Sequence, residues 1–206
     1  MAVTPVRLGA VGYLNARPLV YGLDREPRFE LRYDIPSECA RLLHAHTIDV
    51  GLIPSIEYLR GPQPYAFVPG PAVTSRGPVA SVALFTTRRM SDVRSIVMDT
   101  SSRTSVALVR VLCARLFKIE PAIEAHSPDL NAMLDLGDAA LIIGDKALVW
   151  DPEAVRRKPD TNIQKIDLGE AWTSMTGLPF VWAFWAGPDG VLSAEDVSAL
   201  QDAIAP

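Results

Sequence analysis

Ile96-Val97-Met98-Asp99-Thr100-Ser101-Ser102-Arg103-Thr104-Ser105-Val106-Ala107-Leu108 joins a short apolar run, a polar turn and the opening of a helical pattern. Beyond it Leu108, Val109, Leu112, Cys113, Leu116 and Phe117 recur three or four apart, which predicts a helix from Thr104 to Phe117 on a strand from Ile96 to Asp99. Ser101 or Ser102 suits the helix N-cap, and Thr104 and Ser105 fall in the first turn. Amides at a helix start, a positive helix end and neighbouring hydroxyls form a seat for a small anion such as a carboxylate. Arg103 adds a charged fork. A serine in such a turn often only caps the helix, but five hydroxyls in the six positions from 100 to 105 exceed what one cap requires.

The same grammar recurs on both sides. Leu8 to Val11 predicts a first strand, followed by the turn Gly12-Tyr13-Leu14-Asn15-Ala16-Arg17-Pro18-Leu19, with Pro18 opening a short helix. Phe29 to Asp34 alternates as a strand, with Phe29, Leu31 and Tyr33 on one face. Ser37 is the expected cap of a helix from Glu38 to about Ala45. Ile48 to Ile53 is a third strand, and Pro54-Ser55 opens the next helix. After the central stretch, strands are expected near Glu124 to His126 and at Ala140 to Ile143, with a helix around Leu130 to Leu134 between them. The turn Gly144-Asp145-Lys146 follows the second of these strands. Strands alternating with helices imply βαβ units and a mainly parallel sheet.

Tyr65 to Val68 and Val79 to Thr86 are β-rich with no helix between them. Val82 to Thr86 is therefore expected to carry the chain out of a first lobe, and the aromatic run Phe180 to Ala186 to bring it back. The expected organisation is a two-lobed α/β fold. Residues 1–86 with 181–206 form lobe I, residues 87–180 form lobe II, and a cleft lies between them. Leu192-Ser193-Ala194-Glu195-Asp196 resembles a capping box with an apolar staple, leading into Val197, Leu200 and Ile204. In open α/β sheets ligands sit at the carboxyl ends of strands. Four such turns are candidates: Gly12 to Pro18, Pro54 to Ser55, Asp99 to Ser105 and Gly144 to Lys146.

Composition narrows the function. The 206 residues are 49% hydrophobic and 21% charged with a net charge of −4, a globular balance. Basic residues are scattered, with no basic stripe interleaved with aromatics, so nucleic acid is not an expected partner. No basic leader precedes a long apolar core and no stretch approaches a membrane span, so a soluble, cytoplasmic chain is expected. Cys39 and Cys113 read as small core residues, and Trp172, Trp182 and Trp185 as core rather than a stacking platform. GxGxxG and GxxxxGK[ST] are absent, leaving dinucleotide and nucleoside triphosphate sites without support. His44 and His46 diverge on their helix and His126 stands alone, so no metal site is expected.

Ser75-Arg76-Gly77-Pro78-Val79-Ala80-Ser81 is a second hydroxyl-bearing turn, either a plain loop punctuated by Gly77-Pro78 or part of a site. Asn15 is either an Asx-turn residue or a ligand contact. Asp145 either caps a helix or meets a ligand hydroxyl.

GYLNARPL (Gly12 to Leu19), SRGPVASV (Ser75 to Val82), DTSSRTSVALVRVL (Asp99 to Leu112) and IIGDKAL (Ile142 to Leu148) together resemble the MqnA family, the chorismate dehydratases of the futalosine route to menaquinone. The resemblance spans essentially the whole chain. It implies a periplasmic-binding-protein-like fold used as an enzyme. Chorismate, a dicarboxylate, would lose water to give 3-[(1-carboxyvinyl)oxy]benzoate without cofactor or metal. Family members continue through further C-terminal helices, so a sequence ending at Pro206 is expected to be truncated. The resemblance makes Asn15 the expected catalytic residue. Substrate binding is expected from Ser55, Ser81, Ser102, Arg103, Thr104, Ser105, Gly144 and Asp145. Two other readings share the fold: a solute-binding protein that closes on a carboxylate without chemistry, and the sister lyase acting on cyclic dehypoxanthine futalosine. The YLNARP turn and the lack of a leader favour the dehydratase.

Overall fold

The structure, a computed structural model, describes residues 4–150 and 162–203. In chain order the elements begin with β1 (Val6–Val11), β2 (Phe29–Asp34), α1 (Pro36–His44), β3 (Val50–Pro54), α2 (Ser55–Arg60) and β4 (Ala66–Ser75). There follow β5 (Val82–Thr86), β6 (Ser95–Asp99), α3 (Arg103–Leu112), β7 (Ala122–His126), α4 (Leu130–Leu136), β8 (Ala139–Ile143) and α5 (Asp145–Leu148). The last are β9 (Gln164–Asp167), α6 (Leu168–Thr176), β10 (Phe180–Gly187) and α7 (Ala194–Asp202).

Two compact units result, one made of Met1–Val73 with Val181–Pro206 and the other of Thr74–Phe180. The first holds a five-stranded sheet in the order β2-β1-β3-β10-β4, the second a five-stranded sheet in the order β7-β6-β8-β5-β9. The expected mainly parallel βαβ pattern holds for β1, β2 and β3 and for β6, β7 and β8, while β5 runs against β8 and β9, and β10 against β3. The sequence places Val82 to Thr86 with the first lobe. Here the chain changes unit at residue 74, because β5 is buried along its whole length and is paired on both sides, to β8 and β9.

Each sheet is apolar where a helix or turn covers it. In the first unit Leu8, Ala10, Leu42, Leu43, Leu52, Ile53 and Trp185 form the core. Cys39 is sealed within it, donating to the Ala10 carbonyl at 3.4 Å, and burial pushes its thiol up to about 12. In the second unit Phe85, Val97, Met133, Ala140 and Ile142 pack together. Trp182 and Trp185 are buried as expected, whereas Trp172 is half-buried with its ring edge on Phe180. Along the face that Phe29, Leu31 and Tyr33 share on β2, burial falls off toward its end: Phe29 is buried and Tyr33 exposed.

Local signals held where they were strongest. Ser102 is the N-cap of α3, and Ser193 and Asp196 form the reciprocal capping box of α7. Ile204 lies outside the described residues. Ser37 is not a cap. Pro36, whose ring presets φ and lacks an N–H, takes the first turn of α1, and Ile35 precedes it. The helix expected to reach Phe117 stays α-helical only to Leu112. A wider turn over Cys113–Phe117 follows and Lys118 ends it at φ 56°. The turn after β1 is a 3-10 segment, Leu14–Val20, with Pro18 inside it rather than at its start. Among the described residues no helix is long and apolar enough to cross a membrane.

Arg7 on β1 grips Asp49 just ahead of β3 with two guanidinium nitrogens and its own amide, at 2.6 to 3.0 Å. Hydrogen bonding from Arg7 holds the Asp49 carboxyl below the usual carboxylate range. A depressed carboxyl pKa adds stability above its unfolded value, and that stability is lost as pH falls through the folded value. The urea-stability gap between wild type and Asp49→Asn is therefore expected to be widest near pH 7. It should close progressively below about pH 4.

Candidate active site

Strand direction decides what meets at the second unit's carboxyl edge. β6 runs parallel to β7 and β8, with Asp99 opposite His126 and Met98 opposite Leu141. β5 runs against β8, with Val82 opposite Ile143, and β9 runs against β5, with Asp167 opposite Ala83. The ends of β6, β7, β8 and β9 and the start of β5 therefore share one edge. Ser81, Asp99 to Ser105, His126, Gly144, Asp145 and Asp167 are the residues it carries.

The turn after β6 is built from its own side chains. Asp99 is buried, and its Oδ1 accepts the Ser101 amide at 2.9 Å. The Ser102 hydroxyl accepts the Ser105 amide at 3.4 Å and the Ser105 hydroxyl at 3.2 Å. Ser101, Ser102, Thr104 and Ser105 are all at most 9% exposed, while Arg103 between them is exposed. Capping thus accounts for Ser102 and part of Ser105. The burial of four hydroxyls around one helix start is what distinguishes this turn from an ordinary cap.

The neighbouring strand end is tied to the same place. Gly144 sits at φ 66°, ψ −151°, a region essentially restricted to glycine, and its amide donates to the Ser81 carbonyl at 2.8 Å. Ser81 is 3% exposed. Asp145, half-buried, is the first residue of α5. Ahead of Ser81, its amide bonds the Val79 carbonyl at 2.7 Å across Ala80, which holds φ 61°. This is a γ-turn on a residue with a Cβ, a rare and strained conformation.

Two charged residues that the sequence reading passed over hold that turn. Asp167 caps α6 by accepting the Gly169 and Glu170 amides, and it also accepts the Val79 amide at 3.0 Å and the Ala80 amide at 2.6 Å. Lys165 donates to the Ala80 carbonyl at 2.9 Å and the Ala147 carbonyl at 2.7 Å. Burial lowers the Lys165 pKa and Asp167 partly restores it. The available signal was Asp167-Leu168-Gly169-Glu170, an acidic cap with Glu three residues on.

In the first unit, β1 and β3 also end together, bringing the Gly12 to Pro18 turn and Ser55 to one carboxyl edge. Asn15 is exposed in the first turn of the 3-10 segment. Arg17 lies over the Tyr33 ring, 5.7 Å from its centroid. The Ser55 hydroxyl donates to the Val181 carbonyl at 2.8 Å, so it ties α2 to β10. Among the described residues no group of three or more His, Cys, Asp or Glu could hold a metal ion.

Two five-stranded α/β units, with the chain leaving the first at 73 and returning at 181, define the two-lobed periplasmic-binding-protein-like class. Solved structures agree on that fold. A protein from Archaeoglobus fulgidus superposes with a TM-score of 0.70 at 16% identity, over 97% of this chain and 75% of its own. The alkanesulfonate-binding protein SsuA from Xanthomonas axonopodis pv. citri, bound to MOPS, gives 0.58 at 17% identity, over 97% and 71%. By sequence, the menaquinone biosynthesis family matches residues 6–205, and the chain belongs to that family. A chorismate dehydratase from Thermus thermophilus is 30% identical over 191 residues, 88% of this chain and 69% of that protein.

Gly169 shows how tightly the Ser75 to Ser81 turn is packed. A Cβ there would fall 2.6 Å from the Gly77 carbonyl oxygen and 2.8 Å from Ser75 Oγ. Gly169→Ala is expected to cost about 1–3 kcal/mol, because the first obstacle is backbone and cannot swing aside. Urea denaturation of the purified variant measures it.

Proposed function

We propose that the chain is a cofactor-independent chorismate dehydratase, a hydro-lyase that converts chorismate to 3-[(1-carboxyvinyl)oxy]benzoate and water. Family membership and the likeness to the Thermus thermophilus chorismate dehydratase support the activity. The observation that carries the mechanism is the set of buried hydroxyls at one sheet edge, from Ser81 and from Ser101 to Ser105. They suit an anion, and chorismate carries two carboxylates. A soluble small-molecule enzyme of this kind fits a cytoplasmic setting.

The reaction breaks the ring C–H at the carbon bearing the ether oxygen and the C–O bond of the neighbouring hydroxyl. The proton and the hydroxide leave as water, and the ring becomes aromatic. The ring carboxylate is conjugated to the carbon that loses its proton. Hydrogen bonds from the α3 turn to that carboxylate therefore stabilise negative charge developing in the transition state. Thr104 and Ser105, with Ser102 or Arg103, hold this group. Ser81 and the Gly144-Asp145 turn contribute further polar contacts, whereas Ser55, expected to bind as well, has its hydroxyl engaged by the Val181 carbonyl. Asn15 polarises the departing hydroxyl or fixes the enolpyruvyl carboxylate, which takes the proton itself.

Incubation with chorismate, followed by ultraviolet detection of the aromatic product, tests the activity. Chorismate that stabilises the fold but stays unchanged would favour a binding protein. Asn15→Ala is expected to lower kcat by about 10²-fold or more with a much smaller change in KM. Proton transfer to the substrate's own carboxylate leaves kcat without a limb in the ordinary histidine range, around pH 6.5. His126 shares the sheet edge and its Nδ1 lies 2.7 Å from the Ser127 carbonyl oxygen. A limb there that vanishes in His126→Gln would assign the proton to His126 instead.

A further inference from the structure

Lys165 and Asp167 stand two apart on β9, so their side chains leave the same face of the strand. Both reach one residue. Asp167 accepts the Ala80 amide, and Lys165 donates to the Ala80 carbonyl. The two peptide groups flanking the strained Cα of Ala80 are thus fixed by charged partners of opposite sign. The next residue is Ser81, whose own carbonyl is fixed by Gly144. Each of the two side chains also has a second anchor, Lys165 on the Ala147 carbonyl of α5 and Asp167 on the first amides of α6. Neither is needed to close the sheet, since β5 already pairs with β9 through backbone bonds from Ala83 to Thr86.

A γ-turn with positive φ at an alanine persists only when its surroundings over-determine it. Ionised partners are suited to that, because charge-assisted hydrogen bonds are shorter and stronger than neutral ones. We propose that Lys165 and Asp167 are positioning residues for substrate, clamping the Val79-Ala80-Ser81 turn so that Ser81 is presented at the carboxyl edge. The assignment rests on the dehydratase reading. Neither side chain touches the reacting atoms; both act through the turn. An asparagine at 167 keeps the size of the side chain but offers one acceptor oxygen and an NH2 group to four converging amides. A methionine at 165 keeps the stem and loses both donors.

The experiment pairs steady-state kinetics on chorismate with amide hydrogen exchange on the full chain. Asp167→Asn is expected to raise KM by roughly 10-fold or more, with kcat changing much less, and to speed exchange at the Val79 and Ala80 amides. Lys165→Met leaves the Asp167 bonds in place and is expected to raise KM in the same direction. It also keeps the test decisive if Asp167→Asn does not fold. Two variants with unaltered KM, or faster exchange at both amides without any change in KM, would overturn the positioning role while leaving the activity standing. A wild-type chain that neither binds nor converts chorismate would overturn the dehydratase reading first, and this one with it.

Discussion

The parallel ladder between β6 and β8 is the constraint on which the second unit depends. Parallel strands end on the same side, so the turn after Asp99 and the turn after Ile143 emerge together although 44 residues separate those positions. The antiparallel strands β5 and β9 then add one strand start and one strand end to that edge. Residues distant in the chain, among them Ser81, Ser102, Gly144 and Asp167, become neighbours through strand polarity alone. Without that shared direction the hydroxyls would be scattered caps.

Polar burial shapes this edge. Hydroxyls and carboxylates withdrawn from water are costly unless bonded, and here the backbone supplies many of the partners. Asp99 and Asp167, acidic side chains beside a proposed anion seat, are occupied by amide donors rather than left facing a ligand. Their charge is spent on shaping the loops. In the proposed site the hydroxyls and the helix start, not these carboxylates, face the negatively charged group.

How much of this was legible depended on sequence distance. The strand, cap and helix at Ile96 to Leu112 could be read locally, as could the capping box at Ser193, because each signal lies within a few residues of its effect. The Gly144-Asp145 turn was legible as a strand end. Lys165 and Asp167 were not, because their partners Ala80 and Val79 lie 85 to 88 residues away and β9 has a single large apolar residue, Ile166. The placement of β5 failed for a related reason: five apolar-leaning residues identify a buried strand but not which sheet buries it. His126 stands alone in the sequence, and only the register with Asp99 brings it to the shared edge.

The return of the chain through β10 has a consequence for how the molecule reaches its native state. The second unit is continuous from Thr74 to Phe180, so every strand of its sheet is available once that stretch has been synthesised. The first sheet has β10 between β3 and β4, and its partner strands precede it by more than a hundred residues. Loop-closure entropy makes such distant pairing slow, and synthesis delivers the missing strand late. On the ribosome the inserted unit is complete while its host still exposes the edges of β3 and β4, making the host the aggregation-prone partner during biogenesis.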